Sequence, residues 1–589
     1  MIIGVSQINT KAGDLASTAD RMASISQVAA GRGVDLLVFP VAALTGPVVV
    51  DYSAQDAFLL NLVDVLSDLA TRVSCDCLVP VVVPLSDVPV IEAVLLRDGV
   101  ATPLRFGSWV KAGSPADQGP GSLPHGEFAT LEAAGSRVGL AFSYEDMDDW
   151  CEDAKGIDVL CYLSSYGFAV DDPSSALGAA LSEGRFIDDA AESGAWIVGV
   201  GSLGGYGTQV FCGSSFVLSP DGRLAGASPA FEEDLLVAEV GKDARLEEGF
   251  ELTQEVFDER YHLWQSLVLG IRDYVHKLGR EDVVLALDGS LSSMLLSVLA
   301  TDALGPTHVH VLLCMEDDSP RLADVPRLSR ALRVDVRIPW LSDPSGGLTL
   351  RDLASAHLRA IARESDAVVL SAADKTGLAL EPDTWCPSCG SLAPLGDVWR
   401  IDVLDVARLR NTVSSVIPNL RLVPQDLPDV GLPSLEWYLE PSLERIDATL
   451  AAHVEGERTL AETVASVGDE ELVGAVLSRM HRGEEQRVSR PPCLIMTTRT
   501  LSDARMPLGF AWHDTRLTST VEESLASLEG VLRQAFGEQG GVTSSRSSAR
   551  EGQDGRQESY EGAIREALEL LQDLSMGSAP GRLGLFSEN

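Results

Sequence analysis

Short apolar runs bounded by turn residues recur over the first 240 positions: Ile2 to Val5, Leu36 to Phe39, Cys77 to Val83, Val138 to Phe142, Val159 to Leu163, Trp196 to Val200, Phe211 to Leu218 and Leu235 to Val240. Helix-length segments, Ser17 to Gly31 and Phe58 to Val73, separate some of them. Runs of this kind read as strands buried beneath helices, so the pattern predicts a layered α/β domain. A helical stretch from Phe257 to Leu278 leads into a second β-α-β series: Val283 to Leu287, a helix through Leu304, Val309 to Leu313, and Val368 to Leu370. That series predicts a parallel doubly wound domain, whose ligand would sit at the carboxyl ends of the strands.

The pattern changes after residue 512. Ser519 and Glu522 form a capping box ahead of Val521, Leu525, Leu528, Val531 and Leu532, which share one helical face. Gly537 to Gly562 is Gly, Ser, Gln and charge without apolar periodicity, and it reads as a linker. Ile564, Ala567, Leu568, Leu571 and Leu574 then make a short amphipathic helix over 563–574, either folded back on its own domain or docked on a protein partner. The expected organisation is therefore 1–245, 246–512 and a tail, 513–589.

Charge narrows the function classes. Asp plus Glu number 87 against 45 Lys plus Arg, a net −42, and such a field repels nucleic acid and anionic membrane surfaces. The longest apolar stretches, such as Leu36 to Leu44, fall short of the roughly 20 residues that span a bilayer. The chain opens on a strand-like Met1-Ile-Ile-Gly-Val-Ser6 without signal-peptide character, so the cytoplasm is the expected compartment. Nine cysteines, thinly spread, read as reduced thiols, and Cys386-Pro-Ser-Cys389 lacks the second ligand pair of a zinc site. No metal ligand set is expected.

Several stretches together resemble one family, the glutamine-dependent NAD+ synthetases, in which a nitrilase-type amidase feeds ammonia to an ATP-dependent synthetase. Ser6-Gln-Ile-Asn-Thr10, Asp35-Leu-Leu-Val-Phe-Pro40, Ala43-Leu-Thr-Gly46, Gly213-Ser-Ser-Phe-Val217 and Phe231-Glu-Glu-Asp-Leu235 resemble the amidase half. Leu267-Val-Leu-Gly-Ile-Arg-Asp-Tyr-Val275, Ala393-Pro-Leu-Gly-Asp397, Val416-Ile-Pro418 and Arg505-Met-Pro507 resemble the synthetase half. The resemblance implies a nitrilase-like αββα domain, then a Rossmann-like doubly wound domain of the adenine nucleotide α-hydrolase type, then a partly disordered C-terminal tail. It also implies a homo-oligomer.

A nitrilase-type amidase needs a cysteine nucleophile, a glutamate base and a lysine beside the oxyanion. The family's glutamate follows Phe-Pro, but here Phe39-Pro40 is followed by Val41. The family's cysteine precedes Glu-Asp, and Ala141-Phe-Ser-Tyr-Glu-Asp146 places Tyr144 there. Ser143 and Cys151 are the alternative nucleophiles, and Lys111 is the lysine in the matching region.

The synthetase half resembles the pyrophosphatase loop Ser-Gly-Gly-x-Asp-Ser, present here as Asp288-Gly289-Ser290-Leu291-Ser292-Ser293. A carboxylate appears at Asp288, beside the expected phosphates, and disappears at Ser292, where magnesium would be held. The second loop, Thr-Gly-Asn-Lys-Ser-Glu in the family, is Ala372-Ala-Asp-Lys-Thr-Gly377, so Lys375 is kept while the acid becomes Gly377. A third acid is lost at Ser391. Asp288 turned outward, or itself holding magnesium, would preserve activity.

Three readings follow. The first is a non-catalytic homologue that works by binding, regulation or assembly, retaining at most a nucleotide ligand. The second is a divergent working synthetase using ATP and magnesium, with Asp288 or Glu145 and Asp146 supplying replacement groups. The third is a synthetase that has lost only the amidase step and accepts free ammonia.

Overall fold

The computed structural model describes residues 1–47, 55–85, 88–106, 129–153, 156–242, 244, 246, 258–314, 319–338, 349–380, 390–424, 440–488, 490–505, 507–509 and 514. Lys111, Cys386, Cys389, the helix from Val521 and the tail segments 537–562 and 563–574 lie outside these residues, as does most of the expected boundary near 245.

Among the described residues the first half holds fourteen strands: β1 (Ile2–Gln7), β2 (Leu36–Val38), β3 (Asp76–Leu85), β4 (Val88–Arg97), β5 (Val100–Pro103), β6 (Thr130–Ala133), β7 (Ser136–Ala141), β8 (Val159–Ser164), β9 (Trp196–Gly201), β10 (Leu203–Tyr206), β11 (Gln209–Cys212), β12 (Phe216–Leu218), β13 (Leu224–Ala227) and β14 (Asp234–Glu239). They form two six-stranded sheets, ordered β14-β1-β2-β3-β4-β5 and β13-β12-β9-β8-β7-β6, plus the hairpin β10–β11. Each sheet has a parallel centre, β1-β2-β3 or β7-β8-β9, flanked by antiparallel strands. One face of each sheet supplies the inter-sheet core: Val5, Leu36, Val38 and Leu78 meet Val138, Leu140, Val159 and Val198. Helices α1 (Leu15–Gly31) and α2 (Asp56–Arg72) cover the outer face of the first sheet, while α3 (Tyr144–Asp153) and α4 (Arg185–Ser193) cover the second. This is the expected αββα layering.

One apolar run is not one strand. Phe211–Leu218 breaks into β11 and β12 at Gly213 and Ser214, whose φ values are 76° and 59°. A Cβ on Gly213 would stand 2.4 Å from the Gln7 side chain, so the chain can pass there only as glycine.

The second half begins at α5 (Glu259–Lys277), capped by the Asp258 carboxylate, which accepts from the amides of Arg260 and Tyr261. It continues with β15 (Val283–Leu287), α6 (Leu291–Leu304), β16 (Val309–Leu313), β17 (Val336–Arg337), α7 (Leu350–Ser365), β18 (Val368–Leu370), α8 (Lys375–Leu380), α9 (Arg400–Val413), α10 (Glu440–Val454), α11 (Leu460–Val467) and α12 (Glu470–Arg482). The strands are all parallel, in the order β17-β16-β15-β18. Val283, Leu285 and Leu287 face one core and Val284 and Ala286 another, which is why β15 is apolar at every position.

The halves share a core: Leu203, Val210 and Cys212 of the hairpin cluster with Leu263, Leu267 and Ile271 of α5. A buried ion pair fixes their register. Asp273 Oδ2 accepts from Gly205 N at 2.7 Å and Asn9 Nδ2 at 2.7 Å, and lies 3.1 Å from Lys277 Nζ. Lys277 also donates to Asn9 Oδ1 and Gly205 O, both at 2.7 Å. Removing one partner strands the others, so Asp273→Ala is expected to lower unfolding free energy by about 2–5 kcal/mol. Urea denaturation measures it, and a loss below about 0.5 kcal/mol would show that this pair does not join the halves.

Candidate functional site

The switch point of the parallel sheet lies between β15 and β18, because the chain leaves β15 toward β16 on one side and returns to β18 on the other. The loops after these two strands are therefore neighbours. Ser292, at the start of α6, donates its hydroxyl to Asp374 Oδ2 at 2.6 Å, which joins the two loops that the sequence singled out.

The first loop satisfies itself. Asp288 Oδ1 accepts from Ser290 N at 3.0 Å and Ser290 Oγ at 2.6 Å, so a carboxylate of the chain occupies a loop N–H. Ser290 caps α6 by accepting from Ser293 N at 3.2 Å, and Ser293 donates its hydroxyl to Ser290 O at 3.0 Å. Gly289 has φ 81°, and its carbonyl accepts from Arg321 at 3.3 Å.

The second loop is a buried charge network. Asp374 pairs with Arg400, with Nε 3.1 Å from Oδ2 and Nη2 3.2 Å from Oδ1, and accepts from Gly377 N at 2.7 Å. A Cβ on Gly377 would lie 3.1 Å from Arg400 Nη2, so the guanidinium stands where a side chain at 377 would begin. Lys375 is fully buried and does not reach the first loop. Its ammonium contacts Glu455 Oε1 at 2.6 Å, Thr497 Oγ1 at 2.7 Å, Asp397 Oδ1 at 2.8 Å and Arg499 O at 2.8 Å, which uses all its donors. Burial favours the neutral amine, but Asp397 and Glu455 outweigh it and hold Lys375 above the usual lysine range. Asp447 accepts from Thr376 Oγ1 at 2.7 Å and from Ile401 N at 2.8 Å, and so completes the start of α9. Ser391 lies exposed, and its carbonyl accepts from the Tyr274 hydroxyl at 2.9 Å.

In the first half, Val41 is 1% exposed and belongs to the inter-sheet core, with its carbonyl accepting from Ser202 Oγ at 3.3 Å. Tyr144 packs in a different layer. Its ring stacks on Tyr162 and Tyr166 at 5.1 and 5.8 Å, the Arg185 guanidinium lies 3.6 Å from its centroid, and its hydroxyl donates to Ser174 O at 2.8 Å. Burial pushes the phenol up to about 12. Ser143 caps α3, accepting from Asp146 N at 3.0 Å, while Asp146 Oδ2 accepts from Phe142 N at 2.7 Å. Cys151 lies seven positions into α3, against Asp189 O at 3.7 Å, and burial pushes its thiol up to about 11. Arg105, which the sequence reading missed, places its guanidinium 4.2 Å from the Phe142 ring centroid and 4.0 Å from Asp146.

No family model matches the chain. Over 558 residues it is 25% identical to the glutamine-dependent NAD(+) synthetase of Synechocystis sp., an alignment that takes in 87% of this chain and 99% of that one. The glutamine-dependent NAD(+) synthetase of Rhodobacter capsulatus is 26% identical over 574 residues, with the same coverage. The chain is a homologue of the glutamine-dependent NAD+ synthetases. Solved structures agree on the fold: the synthetase of Acinetobacter baumannii, in complex with ADP, superposes with TM-score 0.58 at 21% identity, covering 87% of this chain and 99% of that one. The Cytophaga hutchinsonii synthetase gives 0.65 at 11%, covering 90% and 99%.

Magnesium is held by one or two carboxylates together with substrate phosphates; of the acids in the two loops, Asp374 is committed to Arg400, Ser292 and Gly377, and Asp288 accepts from Ser290. Among the described residues no group of three or more His, Cys, Asp or Glu could hold a metal ion. Nor is any described helix long and apolar enough to cross a membrane.

The network carries a pH signature. Burial pushes Asp447 and Glu455 up to about 7 and Asp402 to about 6. Each binds its proton more tightly folded than unfolded, so its stabilisation is complete below the ordinary carboxylate range and is lost as pH rises through the folded value. Unfolding free energy is expected to fall from about pH 5 to about pH 8, and Asp447→Asn should flatten that fall. Urea midpoints across this range check it, and stability rising with pH would refute it.

Proposed function

We propose that this synthetase homologue is non-catalytic at both centres and works by binding, regulation or assembly. The observation that carries the reading is the Asp374–Arg400 pair, with Ser292 bonded to the same carboxylate. A guanidinium already neutralises the acid that a metal would need, and Asp288 adds a negative charge to the loop that would face pyrophosphate. Two like unit charges about 4 Å apart repel by about 1 kcal/mol in water and about 4 kcal/mol at an effective dielectric of 20. Both changes weaken nucleotide phosphate binding.

The amidase half supports the same reading. Val41 is a core side chain, Tyr144 is a half-buried phenol with its proton engaged, Ser143 is a helix cap and Cys151 is a raised thiol. Among the described residues none has a base within hydrogen-bond reach to take its proton.

A second reading, a divergent working synthetase, is favoured by similarity over nearly the full length of the relatives named glutamine-dependent NAD(+) synthetase. Incubating the full chain with deamido-NAD, ATP, magnesium and either glutamine or ammonia separates the readings. No NAD and no AMP are expected with either nitrogen source, and no covalent adduct on Ser143 or Cys151 after a glutamine-analogue electrophile. NAD from ammonia alone would establish a synthetase that lost only its amidase, and NAD from glutamine would establish the working enzyme.

A further inference from the structure

Helices α10 and α11 pack on each other and are joined by residues 455–459. A cleft of about 680 Å³ opens along them. Its floor is apolar: Ala448 of α10 is exposed, and Ala451 and Ala452 of α10 and Val467 of α11 are half-buried. Side chains this small at a helix face let a second helix approach to the short end of the usual range, about 8 Å between axes. Apolar surface left to water is also stabilised by whatever apolar side chain covers it.

The last described residue lies at this cleft. Asp514 Oδ2 accepts from Leu460 N at 2.9 Å, at the first residue of α11. That bond holds the chain at the corner where α10 ends and α11 begins, next to Arg458, which lines the cleft. Only Thr515 to Thr518 separate Asp514 from Ser519, and five extended steps reach at most about 18 Å. Whatever starts at Ser519 therefore starts beside α10 and α11. What starts there is the capped amphipathic stretch, with Val521, Leu525, Leu528 and Leu532 on one helical face. As a helix, residues 519–532 are about 21 Å long, against about 22 Å for α10.

Charge gives the direction. Running away from the corner, the stretch carries Glu522 and Glu523 at its start and Arg533 just past its end. The cleft carries Arg458 at the corner and Glu444 toward the start of α10, at the other end of the floor. Opposite signs therefore meet at both ends. We propose that residues 519–532 of this chain lie as a helix in the α10–α11 cleft, with the Val521, Leu525, Leu528 and Leu532 face on the alanine floor. The stripe over 563–574 is a weaker occupant, because the 48 residues of 515–562 separate it from Asp514 and nothing ties it to this corner. A second copy of the chain is weaker still, since two bodies of net −42 repel. The proposal stands whether or not either catalytic centre works, since neither Ser292, Asp374 nor Tyr144 lines the cleft.

Hydrogen–deuterium exchange of the full chain, read by mass spectrometry on peptides spanning 521–532, tests this. A helix this short is marginal alone in water, so protection there reports docking. Exchange at least about tenfold slower than in a free peptide of the same sequence is expected, unchanged when the protein is diluted about tenfold. Leu528→Asp, in the stretch, and Ala448→Asp, at an exposed position of the floor, should each remove that protection. Circular dichroism confirms that both variants are folded. Exchange at the free-peptide rate in the unaltered chain, protection that falls on dilution as a second copy would give, or protection that persists in either folded variant overturns the proposal.

Discussion

An ammonium cut off from water must be surrounded by acceptors, and the second half is organised around that requirement at Lys375. Burying a lone charge costs several kcal/mol even after relaxation, so the fold must bring acids to it from afar. It does so with Asp397, which follows the strand end after β18, and with Glu455, just past α10. Thr497 and the Arg499 carbonyl complete the shell from the segment that returns toward the first half. One buried cation thus ties together four stretches that are far apart in sequence.

The residues on either side of Lys375 inherit that rigidity. Asp374 is turned to the switch point, where Arg400 and Ser292 take it, and Thr376 is turned to Asp447. Arg400 and Thr376 also meet directly, through the Arg400 amide and the Thr376 hydroxyl at 2.9 Å. The Asp374 carboxylate of the second loop is therefore paired from within, by a guanidinium on α9. In the first loop Asp288 keeps its negative charge and accepts from the amide and hydroxyl of Ser290. In the first half Val41 joins the core and Tyr144 joins a stack with Tyr162, Tyr166 and Phe186.

Much of this was legible in the sequence because strands buried on both faces are apolar throughout, as β9 and β15 are. Phe211–Leu218 misled because a backbone that yields to Gln7 at Gly213 leaves no mark on hydrophobicity. Helices α10 and α12 went unread although Ile446, Leu450 and Val454, then Leu472, Val476 and Met480, repeat at four-residue spacing toward one satellite core. The altered site positions could be read by resemblance. What fills the space beside Gly377 could not, since Arg400 lies far along the chain with no local pattern pointing back to Asp374. Lys375 was assigned to the nucleotide site for the same reason: its kept identity said nothing about which way its ammonium turns.

We propose that internal charges stand in place of the metal at the switch point, and calorimetric titration of the full chain with ATP, with and without magnesium, measures that directly. Weak binding, with a Kd of about 1 mM or above and no change on adding magnesium, is the predicted result. Binding at about 1–10 μM that requires magnesium would contradict it, because the Asp374–Arg400 pair would then have to open for the cation.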